Sequence, residues 1–256
     1  MDIQKITNSR EVRKILLSTP YYKGTYRICI VGSTGSGKTS FLKMLLGSLF
    51  EPMGERKRRH TKETQTGSTY TILDPKLLDK ESTTTVSLNV ADILLLVTKY
   101  NTIEWFAPAD VNEVLLREDI ESLFHLLWID SPGQERFDFM PQIVIPGSDA
   151  GIIFADGTNV ESVVKLSYYI RLLRDEERKR DKPMPIAIFL NKKDLEGIYL
   201  GLEMVKNMFK SEKEEDFLFE TSVLEEEGFE GPLRLVIDNL KPRDYTKILN
   251  RPKVKT

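Results

Sequence analysis

The chain has 256 residues, of which 40% are hydrophobic and 30% are charged, and its formal net charge is -2. A chain of this length can bury a sizeable core in one or two domains, and its near-neutral charge gives no reason to expect nucleic acid or a membrane surface as a partner. The single cysteine, Cys29, excludes an internal disulfide and fits a reducing, cytoplasmic compartment. We expect Cys29 to be a core residue rather than a reactive thiol.

Targeting and anchoring signals are missing from the sequence. No apolar run approaches the ~18 residues of a transmembrane helix, and the N-terminus lacks the profile of a signal peptide. Asp2 stands where myristoylation requires glycine, and the final RPKVKT contains no cysteine for prenylation. We therefore expect a soluble protein without a lipid anchor, which contacts membranes only peripherally or through a partner.

Residues 1–24 precede the first predicted strand and are interpreted as an N-terminal extension. Their apolar residues include helical spacings, and Pro20 limits the extension of a helix; these residues are Ile3, Ile6, Val12, Ile15 and Leu16. We favour a helix packed on the domain surface. An amphipathic helix that binds a membrane or a partner is the alternative.

Residues 27–40 read RICIVGSTGSGKTS, which is an apolar strand followed by a glycine-rich turn and the start of a predicted helix. The turn from Gly32 to Thr39 fits G-x-x-x-x-G-K-[ST], and its position between a strand and a helix indicates a nucleotide-phosphate site. Its glycines let backbone N–H groups turn inward to phosphate oxygens, and the helix N-terminus adds partial positive charge. Lys38 can reach the β- and γ-phosphates, and the Thr39 hydroxyl can ligate Mg²⁺. The predicted site includes every residue from the turn to the helix start: Gly32, Ser33, Thr34, Gly35, Ser36, Gly37, Lys38, Thr39 and Ser40.

Two insertions interrupt the next part of the chain. Residues 51–82 follow a helix expected from Thr39 to about Phe50 and contain the basic cluster ERKRRH. They are predicted to form a solvated loop, with a docking patch for an acidic partner or an anionic lipid as the alternative. Between the predicted strands Thr83–Val97 and Leu123–Ile129, residues 98–120 are expected to form an extended hairpin or a small helical insertion.

The rest of the chain alternates between strands and helices. This pattern predicts a mostly parallel sheet covered on both faces, with ligand loops outside the carboxyl ends of the strands. The predicted strands are Ala150–Ala155, Pro185–Leu190 and Phe217–Phe219, and the predicted helices are Val160–Lys179, Leu202–Lys210 and Pro232–Leu240.

Four motifs lie at the ends of predicted strands: GSTGSGKT, WIDSPGQERF, NKKD and ETSV. In this order they resemble the motifs of the Ras superfamily of small GTPases, with features of its Arf and Rab branches. The resemblance implies a P-loop NTPase G domain of the α/β class, with a mostly parallel sheet of about six strands and helices on both faces. The G domain would span residues 25–240 and be followed by a tail, 241–256.

The last two motifs bear on the base. A carboxylate has acceptors only, so Asp194 can accept two hydrogen bonds from guanine N1–H and its exocyclic amine. The stem of Lys192 can lie along the base, and Asn191 can tie this loop to the phosphate turn. By resemblance, ETSV places Ser222 and Val223 at the base.

The second motif bears on the metal and on hydrolysis. Asp130 ends an apolar strand and can hold Mg²⁺ directly or through water. Gly133 lets its backbone N–H approach the γ-phosphate, and Gln134 can orient an attacking water. By resemblance a threonine of the first switch also reaches Mg²⁺; Thr85 is favoured, with Thr84 as the alternative.

The resemblance implies a switch that binds GTP or GDP with Mg²⁺ and hydrolyses GTP slowly, with Lys38, Gly133 and Gln134 in catalytic roles. It also implies activating, exchange and effector proteins as partners, because no resident arginine finger is evident. A GTP-bound scaffold with negligible turnover is the alternative. A P-loop ATPase or kinase is a third, weaker one.

Overall fold

The computed structural model describes residues 9–47, 68–71, 89–131, 139–209 and 217–242. These residues form an α/β structure built on one eight-stranded sheet. The strands are β1 (Tyr22–Gly32), β2 (Ser68–Thr71), β3 (Asn89–Thr98), β4 (Ile103–Phe106), β5 (Ile120–Asp130), β6 (Ala150–Asp156), β7 (Ile186–Asn191) and β8 (Leu218–Glu220).

The sheet is mostly parallel, as predicted. Its order is β2-β3-β5-β1-β6-β7-β8, with β4 pairing to β3 beside β2. The five strands from β5 to β8 in this order are parallel neighbours, and β3 runs antiparallel to β5, β2 and β4. The expectation of about six strands was too low. The two insertions contribute the short strands β2 and β4, and an exposed edge of β3 has the unpaired backbone groups that bind such strands.

Helices cover both faces of the sheet. They are α1 (Ser9–Ser18), α2 (Lys38–Gly47), α3 (Val111–Val114), α4 (Pro141–Val144), α5 (Val160–Val164), α6 (Leu166–Arg180), α7 (Leu202–Phe209) and α8 (Glu230–Asp238). Successive residues of β1 point to opposite faces, as the pleat requires. Ile28 and Ile30 join a core under α2 and α8, while Cys29 and Val31 join a second core under α4 to α7. Cys29 is fully buried, and burial raises the pKa of its thiol to about 12, so its predicted core role is confirmed.

The N-terminal helix packs on the domain, as favoured from the sequence. Val12 and Leu16 are 2% and 0% exposed and belong to a third apolar cluster with residues of α3, β3, β4 and β5. The strand that follows begins at Tyr22, inside the stretch interpreted as the N-terminal extension.

Several predicted boundaries differ from the structure. The helix predicted over Val160–Lys179 is interrupted at Lys165, which separates α5 from α6. Residues 98–120 combine both expected forms, because β4 completes a hairpin with β3 and is followed by a 3-10 turn and the one-turn helix α3. Within the described ranges, no helix has both the length and the apolar character needed to cross a bilayer.

The topology brings five strand ends to one edge of the sheet. The parallel strands β5, β1, β6, β7 and β8 end at Asp130, Gly32, Asp156, Asn191 and Glu220. The chain changes sides at β1, since β2, β3 and β5 lie on one side of this strand and β6, β7 and β8 on the other. Such a switch point opens a crevice at the carboxyl ends of the strands, which is where ligands bind in folds of this class.

Candidate nucleotide-binding site

The glycine-rich loop connects the central strand β1 to the N-terminus of α2. Gly32 and Gly37 have φ values of +147° and +103°. A Cβ on Gly32 would lie 2.1 Å from the Phe154 carbonyl oxygen, and one on Gly37 would lie 2.2 Å from the Asn191 Nδ2 atom. Both positions therefore require glycine for backbone conformation and for close approach.

Lys38 is buried inside this loop. Its ammonium donates hydrogen bonds to the carbonyl oxygens of Gly32 and Ser33, both at 2.8 Å. Burial lowers the pKa of Lys38 to about 8, and the charge of Asp130 opposes that shift. An anion bound in the loop would stabilise the charged form of Lys38, because a nearby negative charge offsets the cost of desolvation.

Two buried hydroxyl groups of the loop lack a hydrogen-bond partner among the described residues. Among the described residues, the Oγ atoms of Ser33 and Ser36 are inaccessible to solvent and have no hydrogen-bond partner. Buried polar groups are usually satisfied, so such atoms call for a ligand or water. Phosphate oxygens are acceptors of the kind that these hydroxyls can bind. The side chains of Thr34 and Ser40 are instead exposed at the rim of the loop.

Two side-chain oxygen atoms lie in contact beside the loop. The Thr39 hydroxyl at the start of α2 donates to the Asp130 Oδ2 atom over 2.6 Å. Asp130 is fully buried at the end of β5. A hydroxyl and a carboxylate in contact at a phosphate loop form the donor set that suits Mg²⁺, which takes one or two protein oxygens together with substrate phosphates.

Asn191 connects the phosphate loop to the other predicted motifs. Its Nδ2 atom donates to the Ser36 carbonyl oxygen over 2.9 Å, as anticipated from the sequence. Its Oδ1 atom accepts hydrogen bonds from the Val223 backbone N–H at 3.0 Å and from the Thr221 hydroxyl at 3.4 Å. One buried amide thus holds three loops together.

Asp194 lies next to the loop after β8. The Ser222 hydroxyl donates to Asp194 Oδ1 over 2.5 Å, which orients the carboxylate and leaves acceptor capacity on it. Val223, which the resemblance places at the base, donates its backbone N–H to Asn191 in this structure. Leu224 extends into solvent with 81% of its surface exposed.

Lys192 has a partner that the sequence analysis missed. Its backbone has a left-handed φ of +70°, and its Nζ atom contacts the Asp156 Oδ2 atom at 2.5 Å. The available signal was a carboxylate at the end of an apolar strand, the same signal that singled out Asp130. Sequence alone does not reveal that β6 and β7 are neighbours, which is what brings Asp156 and Lys192 together.

No protein-family model matches the chain, and a search of curated proteins found no similar one. The chemistry of the site itself therefore has to identify the ligand. Three features bear on it: a backbone cradle with a buried lysine, a hydroxyl–carboxylate pair for a hard cation, and an acceptor-only carboxylate beyond Asn191.

Four predicted site residues lie outside the described residues: Thr84, Thr85, Gly133 and Gln134. Their roles at the metal, the γ-phosphate and the attacking water stay predictions from the sequence. The other predicted residues all lie at the same edge of the sheet, at the ends of β1, β5 and β7, in the loops after β1, β7 and β8, or in the first turn of α2.

Proposed function

We propose that this protein is a GTP-binding switch that holds guanine nucleotide with Mg²⁺ and slowly hydrolyses GTP to GDP and phosphate. The observation that carries the proposal is the Asn191 amide, which joins the phosphate loop at Ser36 to the loops that carry Asp194 and Val223. This contact ties the glycine-rich loop to the loops that carry an acceptor-only carboxylate, at the same edge of the sheet. A nucleotide carries phosphates at one end and a base with hydrogen-bond donors at the other, and these two ends match the loop and the carboxylate.

The choice of guanine rests on Asp194. Guanine presents two adjacent donors, N1–H and the exocyclic amine, and an ionised carboxylate can accept both. Adenine has no such donor pair on that edge, so its binding would forgo both charged hydrogen bonds, each of which contributes about 1.5–3 kcal/mol. The hydrogen bond from Ser222 supports this role by fixing the orientation of the carboxylate.

At the phosphate end, the N-terminus of α2, the Lys38 ammonium and the loop N–H groups would bind the β- and γ-phosphates. Thr39 and Asp130 would hold Mg²⁺, which when bound offsets negative charge on the phosphates. Gln134 and Gly133 are proposed, from the sequence, to orient the attacking water and to bind the γ-phosphate. Slow turnover is proposed because none of the four sequence motifs assigns an arginine finger, which a partner can supply with a gain of ~10³–10⁵ in rate.

Nucleotide competition tests the choice of base. Fluorescently labelled GDP is bound to the purified full chain with Mg²⁺ and displaced by unlabelled GTP, GDP or ATP. We expect GTP and GDP to displace the label at concentrations at least ~100-fold lower than ATP, as a lost hydrogen-bonded pair predicts. Equal displacement by ATP would instead support an ATPase or kinase.

Single-turnover hydrolysis tests the switch. GTP is loaded on the wild type, on Gln134→Leu and on the matched control Gln142→Leu, whose glutamine is exposed on α4. We expect slow phosphate release from the wild type and from Gln142→Leu, and at least ~10-fold slower release from Gln134→Leu. Release from the wild type no faster than from Gln134→Leu would refute hydrolysis and favour a GTP-bound scaffold.

A further inference from the structure

Asp156 and Lys192 form an ion pair across the ends of β6 and β7. The Asp156 Oδ2 atom lies 2.5 Å from the Lys192 Nζ atom. The Asp156 side chain is 11% exposed and the Lys192 side chain is 31% exposed. A charged hydrogen bond at this degree of burial is shielded from water and salt better than a surface pair. The ion pair links a residue of the NKKD motif, Lys192, to Asp156, which belongs to no predicted site.

The Asp156 carboxylate is itself held in place. Its Oδ1 atom accepts hydrogen bonds from the Thr158 backbone N–H at 3.0 Å and from the Thr158 hydroxyl at 2.7 Å. Burial by itself would raise the pKa of Asp156, but the hydrogen bonds from Lys192 and Thr158 outweigh burial and lower the pKa below its ordinary value. The group is therefore a fixed, ionised acceptor for the lysine.

The backbone on both sides of the pair is also tied together. The Gly157 N–H donates to the Asn191 carbonyl oxygen over 2.9 Å, and the Gly157 carbonyl oxygen accepts from the Leu200 N–H over 2.8 Å. The Tyr199 ring lies so close that a Cβ on Gly157 would be 2.1 Å from its Cε2 atom. The backbone next to Asp156 is thus hydrogen-bonded to the residue before Lys192.

Lys192 needs such a partner more than most lysines do. Its left-handed backbone is uncommon for a residue with a side chain, and residues in such conformations concentrate at ligand sites. A free lysine side chain would also lose about 2 kcal/mol of rotamer entropy on being ordered by a ligand. An ion pair made before the ligand arrives removes part of that cost.

We propose that Asp156 is a positioning residue for the guanine nucleotide, acting through Lys192. By holding the lysine ammonium, it fixes the aliphatic stem of Lys192 as a preformed wall for the base and so slows nucleotide release. This inference rests on the proposed function, since it assigns Asp156 to the base end of that site.

Dissociation of fluorescent GDP, chased with excess unlabelled GDP, tests this role in the full chain with Mg²⁺. We expect Asp156→Ala and Lys192→Ala each to speed release about tenfold, as expected for one charged hydrogen bond. In the double variant the rate should match Lys192→Ala, because Asp156 acts only through that lysine. Asp156→Asn keeps the size of the side chain and guards against misfolding, and we expect it to release GDP at an intermediate rate.

Two controls separate positioning from general support. Thr158→Val removes the hydroxyl bond to Asp156 but leaves the pair with Lys192, so its release rate should stay within about twofold of the wild type. Inorganic pyrophosphate, which has no base, should bind the Asp156 variants as tightly as the wild type. A merely structural role would weaken GDP and pyrophosphate by the same factor.

The possible outcomes are distinct. Release of GDP at the wild-type rate from both Asp156 variants would overturn the inference while leaving the proposed function intact. The same conclusion would follow if the rate increases of Asp156→Ala and Lys192→Ala multiplied in the double variant. Failure of the wild type to bind GDP would overturn the proposed function and this inference together.

Discussion

The Asn191 amide nitrogen donates to the Ser36 carbonyl oxygen over 2.9 Å, although 155 residues separate the two in the chain. Asn191 is 2% exposed, and its amide oxygen accepts from the loop after β8 at the same time. The phosphate loop and the two base-side loops therefore share one buried amide. Loss of that amide should affect all three.

Asn191→Ala is the first test of this junction. It leaves the Ser36 carbonyl and the Val223 N–H without their partner, so we expect the free energy of unfolding to fall by about 1–3 kcal/mol and GDP affinity to fall about 100-fold. Denaturant unfolding and titration of labelled GDP measure the two effects. Asn239→Ala is the matched control, since its amide makes one exposed bond to the Leu235 carbonyl oxygen. Equal results for the two variants would contradict the central role of Asn191.

Asp194→Asn should change the base that the site selects. An asparagine amide offers an acceptor oxygen and a donor NH₂ group. The oxygen can accept from guanine N1–H, but the NH₂ group would face the exocyclic amine of guanine, which is also a donor. Xanthine has a carbonyl oxygen at that position and matches the variant. We expect GDP affinity to fall at least ~100-fold and XDP to become the tighter ligand.

Competition of XDP and GDP for the labelled site measures this exchange. Asp238→Asn, which changes an exposed carboxylate on α8, should retain the preference for GDP. An Asp194→Asn variant that still prefers GDP would place the base somewhere other than beside this carboxylate.

The buried Lys38 predicts that nucleotide binding takes up a proton. Burial lowers the pKa of Lys38 from 10.5 to about 8 in the structure, and a bound phosphate would raise it again by favouring the charged form. Above about pH 8 the free lysine has lost its proton and the complex regains it, so affinity should fall as the pH rises through that value.

Calorimetry at pH 8.5 in buffers of different ionisation enthalpy measures the uptake, which should be most of one proton. The phosphates of GDP, with a second pKa of about 6, are fully ionised there and contribute none. Lys43→Met removes an exposed lysine from the same helix and should leave the uptake unchanged. Binding without proton uptake would mean that no anion reaches Lys38.

Leu16→Ala tests whether the N-terminal helix is part of the folded domain. The side chain is fully buried in the cluster that α1 shares with β3 and β5. Truncating a buried leucine costs about 2–5 kcal/mol, and we expect a loss in that range by denaturant unfolding. Arg13→Ala, on the exposed side of α1, should change the unfolding free energy by less than about 0.5 kcal/mol. A Leu16→Ala variant as stable as the wild type would show that α1 is dispensable for the fold.

Local physical rules made much of this protein predictable from its sequence. The spacing of Gly32, Gly37 and Lys38 predicts the tight glycine-rich turn between a strand and a helix, because backbone conformation is a local property. Apolar runs in β6 and β7 mark buried strands, since a strand covered on both faces has no polar side. The ends of helices and strands were less predictable. The break between α5 and α6 at Lys165, for example, is marked by no proline or glycine in the sequence.

The tertiary structure alone decided which strand ends are neighbours. Asp156 meets Lys192 only because β6 pairs with β7 in a register that sets Asp156 beside Asn191. The pairing of the short strands β2 and β4 with β3 is likewise a property of the strand order. Contacts between distant residues follow from strand order and register, which composition and periodicity do not specify. Thus the motifs themselves could be recognised in the sequence, whereas the Asn191 junction and the ion pair beside it required the fold.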